Sequence, residues 1–145
     1  MSATSLIDVA HVATLGHSIA PGTTISTDTT TDGTAIDMQL SDGPITGFFH
    51  LGAAGDGTSV IQFKLIECAT SGGSYTVISD GTATALAGST TANDNLVTAL
   101  TATGRTMRYV KARVVTSGGG TPSFAISAFV MGRKKVSGSG TGYVS

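Results

Sequence analysis

The chain has 145 residues and a formal net charge of −1, and only 12% of its residues are charged. Its one cysteine, Cys68, excludes an internal disulfide, and no apolar run is long enough for a transmembrane helix. The first residues lack the basic and apolar regions of a signal peptide, so we expect a protein that is made in a cytoplasm. Thr, Ser and Gly contribute 24, 16 and 20 residues, a composition that favours strands joined by turns.

The N-terminal segment 1–21 predicts one strand or an extended arm, because its apolar run is closed by the breaker Ala20-Pro21-Gly22. A Thr-rich strand or loop over 23–33 follows and ends in an Asp-Gly turn. Further strands are predicted over 35–40, 45–51, 60–68, 74–79, 95–104, 107–115 and 123–131. The first of these is expected to end at the turn sequence SDGP, residues 41–44.

Apolar alternation is clearest in the segment 60–68, where Ile61, Phe63 and Leu65 share one face. In the last two strands the positions predicted to point inward are Val110, Ala112, Val114, Phe124, Ile126, Ala128 and Val130. The glycine-rich turn SGGGTP between these two strands predicts a hairpin over 108–131. The segment 95–104 could begin as a short helix, but its β-branched residues favour a strand.

About eight short strands at near-regular spacing predict an all-β fold, a jelly-roll-like antiparallel β-sandwich. We expect residues 1–21 to form an N-terminal arm or first strand and residues 22–132 to form the sandwich. Residues 133–145 have the composition of a flexible linker and predict a basic, Gly/Ser-rich C-terminal tail.

Charge is divided unevenly along the chain. All nine acidic residues lie at or before Asp94, and seven of the eight basic residues lie at or after Arg105. Two interpretations are open at this point. The charges pair with one another once the chain folds, or a basic face meets an acidic neighbour, which is another copy or a larger shell.

No catalytic, cofactor or metal site is predicted. His11, His17 and His50 are not spaced as zinc ligands. Cys68 stands at a strand end without a nucleophile motif, which is typical of a small core residue.

The carboxylates Asp28, Asp32, Asp37 and Asp42 lie beside Thr or Gly in turn-like contexts. This pattern favours turn capping over the paired acids of a glycosidase. The loops TDG (31–33) and GDG (55–57) lack the calcium-loop pattern, although weak ion binding there stays open.

Two features of the last strands indicate a binding partner. The basic residues near Tyr109 could steer nucleic acid, but the pI of about 6.2 and the few aromatic residues disfavour that partner and favour an acidic protein surface. Phe129 and Met131 alternate onto the face opposite the core, where they are too apolar for free exposure to water. Either a loop or a partner therefore covers them.

A series of segments resembles the small capsid decoration or cement proteins of tailed bacteriophages. In chain order these segments are GTAIDM (33–38), ITGFFHLGAAGDGT (45–58), VIQFKLIEC (60–68), GGSYTVIS (72–79) and RYVKARVVTSGGGTPSFAISAFVMG (108–132). The resemblance covers residues 33–132 and rests on the order of these motifs.

The resemblance implies a structural virion protein on the outer capsid surface, where it cements neighbouring major capsid subunits. The implied partners are the major capsid protein and copies of the chain itself, as a dimer or trimer, with no membrane partner. We expect the arm 1–21 and the tail 133–145 to attach the protein. The expected contact residues are Arg133, Lys134, Lys135, Tyr143, Val144, Phe129 and Met131.

Three other functions remain open from the sequence. A neck, head–tail or tail-associated virion protein would have the same composition. A carbohydrate-binding or adhesion module is less favoured, because Trp is absent and only Tyr75, Tyr109 and Tyr143 could stack on a sugar. An enzyme is the least favoured, because no catalytic constellation is recognisable.

Overall fold

A computed structural model describes residues 13–52, 58–85 and 96–135 of the chain. Within these ranges it contains strands and no helix. The strands are β1 (Ala13–Ile25), β2 (Thr30–Asp32), β3 (Ile36–Asp37), β4 (Ser41–Leu51), β5 (Val60–Cys68), β6 (Thr76–Asp80), β7 (Thr84–Ala85), β8 (Leu96–Ala102), β9 (Tyr109–Ser117) and β10 (Phe124–Lys134). None of the described residues belongs to a helix that could cross a membrane.

The strands form two antiparallel sheets packed face to face. Sheet A has the order β1-β10-β4-β8, and sheet B has the order β2-β9-β5-β6, with the short β3 and β7 added to β9 and β5. Four strand pairs, β1–β10, β2–β9, β4–β8 and β5–β6, are nested, so that each pair is enclosed in the sequence by the pair before it. Together they correspond to one long antiparallel hairpin that is folded into two sheets. This is the connectivity of a jelly roll, so the predicted fold is confirmed.

The core lies between the two sheets because alternate residues of each strand point inward. Phe49 and Phe63 stack across the layers with their ring centroids 4.7 Å apart. The seven positions predicted to point inward in β9 and β10 are all buried. Strand β5 begins and ends at the predicted residues, and the segment 95–104 contains the strand β8 rather than a helix.

The predicted hairpin over 108–131 is wrong. β9 and β10 are consecutive in the chain but lie in different sheets, so the segment between them crosses from one layer to the other. Gly118 and Gly119 have φ angles of 127° and 84° in this connection, which glycine adopts without strain. The glycine-rich segment between β9 and β10 therefore connects the two sheets and does not close a hairpin.

Both predicted breakers in the N-terminal half lie inside strands. β1 continues through Pro21, and its register shifts between Ile19 and Thr23. β4 already begins at Ser41, and its pairing with β10 is irregular next to Gly132. Both breakers lie in the edge strand β1 or at the end of β4, where a proline or glycine interrupts only part of the ladder.

Residues 13–21, predicted as an arm or first strand, form the first part of the first strand β1. β10 ends at Lys134, inside the segment predicted as tail. The rest of the expected arm (residues 1–12) and of the tail (136–145) lies outside the described residues.

Candidate interaction surface

The outer face of sheet A carries a continuous set of side chains without any Asp, Glu, Lys or Arg. The paired strands place these residues in three rows across β1, β10, β4 and β8. The set, called the sheet A outer face, consists of Leu15, His17, Thr46, Phe48, His50, Val97, Ala99, Thr101, Ser127, Phe129 and Met131. Arg133 and Asp42 form the next row and bound this face at one end.

Aromatic rings form the middle row of the sheet A outer face. Phe129 stacks on Phe48 of the neighbouring strand, with centroids 4.9 Å apart and an angle of 21° between the rings. His17 lies on the other side of Phe129, with the two ring centroids 6.2 Å apart. Stacked aromatic pairs give a rigid apolar surface with little conformational entropy to lose on binding.

Apolar side chains continue from this row to both edges of the sheet. Leu15 on β1 is 52% exposed, and Val97 on β8 is 63% exposed. Phe48, Phe129 and Met131 are partly exposed, so no described segment covers the face. Contiguous apolar exposure of this kind is typical of an interaction site.

The outer face of sheet B is different because charged side chains cross it. Asp32, Arg113, Lys64 and Asp80 stand opposite one another on four successive strands. Arg113 donates two hydrogen bonds to Asp32, and Lys64 lies 3.1 Å from the Asp80 carboxylate. The hydrogen bonds from Arg113 hold the pKa of the Asp32 carboxyl below its usual value of 3.8.

Two cations lie over aromatic rings at the same end of sheet B. The Lys111 ammonium is 4.1 Å from the centre of the Tyr75 ring, and the Arg108 guanidinium is 5.0 Å from that of Tyr109. Arg108 also binds both carboxylate oxygens of Asp37, which lowers the pKa of that carboxyl. Acidic residues of the N-terminal half thus pair with basic residues of the C-terminal half, so the uneven charge along the sequence is mixed in the fold.

The sequence-predicted contact residues fall into three groups. Phe129 and Met131 lie together in the sheet A outer face. Arg133 and Lys134 end β10, where Arg133 lies 3.5 Å from the Asp42 carboxylate, and Lys135 follows with an exposed side chain. Tyr143 and Val144 lie outside the described residues.

Other side chains that could bind a metal or act as a nucleophile are far apart or buried. His17 and His50 lie on strands separated by β10, Cys68 is buried, and His11 lies outside the described residues. No group of three potential metal ligands occurs in the described ranges.

The turn-capping interpretation of the four N-terminal carboxylates holds for Asp37, which accepts a hydrogen bond from the Gln39 amide two residues later. Asp28 instead accepts hydrogen bonds from two residues that are distant in the chain, through Ser59 Oγ and the Gly119 amide. Asp32 and Asp42 form the ion pairs described above, as Asp37 also does. The loop GDG (55–57) lies outside the described residues.

Glu67 is a buried carboxylate at the end of β5, only 4% exposed. It accepts hydrogen bonds from the Thr106 amide, the Thr106 hydroxyl and the Met107 amide, each at 2.9 Å. These bonds fix the segment between β8 and β9 against the end of the sandwich.

Sequence reasoning identified two residues of the sheet A outer face and missed its other apolar members. Leu15, Phe48 and Val97 are far apart in the chain, and only the order of strands in the sheet brings them together. The signal available in the sequence was the doublet Phe48-Phe49, in which one ring must point away from the core.

No family model and no curated protein sequence matches this chain. Solved structures match its fold. The PBSX exported protein XepA matches with a TM-score of 0.54 and 12% identity over 90% of this chain and 39% of its own. A chain of infectious bursal disease virus, Gx strain, matches with a TM-score of 0.53 and 8% identity over 84% of this chain and 32% of its own.

Latent PorU from Porphyromonas gingivalis matches with a TM-score of 0.51 and 11% identity over 86% of this chain and 13% of its own. This chain therefore spans well under half of each of the three structures. At such low identity the similarity establishes the shared β-sandwich fold, in phage-derived and viral proteins and in a bacterial one.

Proposed function

We propose that this protein is a non-enzymatic structural component of a phage virion, which binds the outside of the capsid and cements neighbouring major capsid subunits. The observation that carries the proposal is the sheet A outer face, a charge-free surface with a stacked aromatic centre and exposed apolar edges. Fold similarity to phage-derived and viral chains supports the same role.

The two sheets have different outer surfaces, and this difference selects the one that docks. Sheet B presents paired charges, which would lose their hydration in an interface at a cost in free energy. Sheet A presents apolar and aromatic side chains, which are enriched in the buried centres of interfaces. We propose that an uncharged surface of a major capsid subunit covers the sheet A outer face. Residues 13–21 and 133–134 belong to β1 and β10, so the attachment role expected of the arm and the tail stays a prediction for residues 1–12 and 136–145.

The basic end of β10 fits the rim of such an interface. Arg133, Lys134 and Lys135 follow Met131 in the chain after the single residue Gly132, next to the apolar rows. Charged pairs at a rim set the orientation of two partners more than their affinity. Acidic residues on a capsid subunit would pair there, while copies of this chain would complete a dimer or trimer.

Two valines allow a matched test of the docking face. Val97 lies on the edge strand of sheet A and is 63% exposed, and Val77 lies on the edge strand of sheet B and is 45% exposed. Val97→Asp would bury an unpaired charge in the proposed interface, and Val77→Asp would leave its charge in water. Both variants are compared with the wild-type protein by co-sedimentation with particles that lack this chain.

We expect Val97→Asp to weaken particle binding by about tenfold or more and Val77→Asp to bind as the wild type does. Circular dichroism and urea unfolding check that both variants are folded. Equal binding by Val97→Asp and the wild type, or a loss confined to Val77→Asp, would remove the sheet A outer face from the proposal.

A further inference from the structure

A cavity of about 430 Å³ opens at one end of the sandwich, apart from the sheet A outer face. It lies where the segment before β4, the segment between β8 and β9, and the end of β10 meet. Three of its lining residues are cations, namely Arg105, Arg108 and Lys135. Met38 and Met107 contribute apolar lining.

Arg105 is partly buried in the wall of this cavity, and its partners in the described ranges are backbone carbonyls. Its two terminal nitrogens donate to Met107 O at 2.7 Å and to Ser41 O at 2.5 Å. Its Nε is buried and has no hydrogen-bond partner among the described residues. A guanidinium in this position keeps donor capacity that the chain itself does not use.

No carboxylate in the described part of the chain forms an ion pair with Arg105. The nearby carboxylate of Glu67 is committed to the Thr106 and Met107 amides and the Thr106 hydroxyl. Burying a cation without a counter-charge costs free energy, and an anion from outside would remove that cost.

The other charges around the cavity balance, except for one. Arg108 is neutralised by Asp37, and the lining residue Asp42 is paired with Arg133. Lys135 has an exposed ammonium at the rim and no ion pair within the described ranges. Arg105 inside and Lys135 at the rim therefore give the cavity an excess of positive charge.

We propose that this cavity binds a carboxylate side chain of an acidic protein segment. The Arg105 guanidinium and the Lys135 ammonium would contact the carboxylate, while Met107, which is partly exposed, would contact the methylene groups of the bound side chain. Carboxylate recognition by a planar guanidinium gives charge-assisted hydrogen bonds. Nucleic acid is the poorer fit because no aromatic side chain among the described residues lines the cavity for base stacking.

This inference goes beyond the virion role and rests on the Arg105 cavity, which shares only Lys135 with the proposed capsid interface. It is tested on the isolated protein in solution, so its result is independent of particle binding. The probe is a tetraglutamate peptide with blocked ends, titrated into ¹⁵N-labelled protein. The readout in the wild type is the Nε–Hε resonance of Arg105, assigned by its absence from the spectrum of Arg105→Lys. The affinities of the variants are measured from the backbone amide resonance of Thr106, which also lines the cavity.

We expect the tetraglutamate peptide to shift the Arg105 resonance saturably and the neutral tetraglutamine peptide to leave it unchanged. Arg105→Gln should weaken binding by about tenfold or more, because one charge-assisted contact is lost. Lys135→Gln, a change at an exposed side chain, should weaken it by roughly two- to fivefold. Arg113→Gln removes the same charge from the outer face of sheet B and serves as the matched control, with unchanged affinity.

Three results would overturn the proposal. The first is the absence of a saturable shift at the Arg105 resonance up to about 10 mM peptide. The second combines two observations. Lys135→Gln binds the peptide as tightly as the wild type, and either Arg105→Gln keeps the wild-type affinity or Arg113→Gln loses as much affinity as Arg105→Gln. The third is tighter binding of inorganic phosphate or of a short single-stranded oligonucleotide at the same resonance, which would assign the cavity to a phosphate group.

Discussion

Replacement of Glu67 by alanine removes the one described carboxylate whose whole side chain is buried in the sandwich. Three hydrogen bonds would be lost, two from backbone amides and one from a hydroxyl. Hydrogen bonds to charged groups contribute roughly 1.5–3 kcal/mol each, so three set a ceiling of about 4.5–9 kcal/mol. Because Thr106 is exposed and Met107 partly exposed, water can reach their donors, and we expect a loss of about 3 kcal/mol.

Urea unfolding followed by circular dichroism measures this loss as a change in the free energy of unfolding. Glu67→Gln keeps one acceptor oxygen and should fall between the wild type and Glu67→Ala. Asp80→Ala is the control, because it removes a carboxylate whose side chain is 49% exposed and should cost less than about 1 kcal/mol. If Glu67→Ala were no more destabilising than Asp80→Ala, the buried carboxylate would not fix the segment between β8 and β9.

Three further substitutions test other parts of the fold. Asp32→Asn should reduce the acid sensitivity of the protein. Arg113 holds the pKa of Asp32 below 3.8 in the folded protein, so the stabilisation from this ion pair is present above pH 3.8 and is lost as the pH falls through the folded-state pKa. Acid-induced unfolding of the variant and the wild type would measure this difference. Phe49→Ala should lower the free energy of unfolding by about 3–5 kcal/mol, because the ring is fully buried, and a urea midpoint close to that of the wild type would contradict this. Gly118→Ala should destabilise the folded protein by about 1–3 kcal/mol, because φ is 127° and an added Cβ would lie 2.5 Å from Thr58 O. Calorimetry measures the shift in melting temperature, and an unchanged melting temperature would refute the argument.

Local alternation was readable from the sequence because the side chains of a strand alternate with a period of two residues. Ile61, Phe63 and Leu65 are buried as predicted. The inward residues of β9 and β10 were predicted for the same reason. Each of these predictions depends only on neighbours within one strand.

Strand pairing was not readable in the same way. The prediction of a hairpin between β9 and β10 failed because a short glycine turn is compatible both with pairing and with a change of sheet. The breakers at Pro21 and Gly43 failed as strand ends because β1 and β4 absorb them through irregular pairing. These outcomes depend on contacts between residues that are distant in the chain.

The same distinction explains what could be predicted of the interaction surface. Phe129 and Met131 were identified because they are apolar at positions of β10 where the alternation predicts solvent-facing residues. His17 and Phe48 were not, because they become neighbours of Phe129 only when β10 lies between β1 and β4. Likewise, Arg105 gains its significance from Ser41 and Met107, one of which is 64 positions away in the chain.

The most direct test of the cement role is to measure the copy number and position of this chain in purified particles by quantitative mass spectrometry and cryo-electron microscopy. The proposal predicts hundreds of copies on the outer shell, with the sheet A outer face buried against major capsid subunits. About a dozen copies at a single vertex would contradict cementing and assign the protein to a neck or tail. Absence from the particle would contradict a virion role altogether.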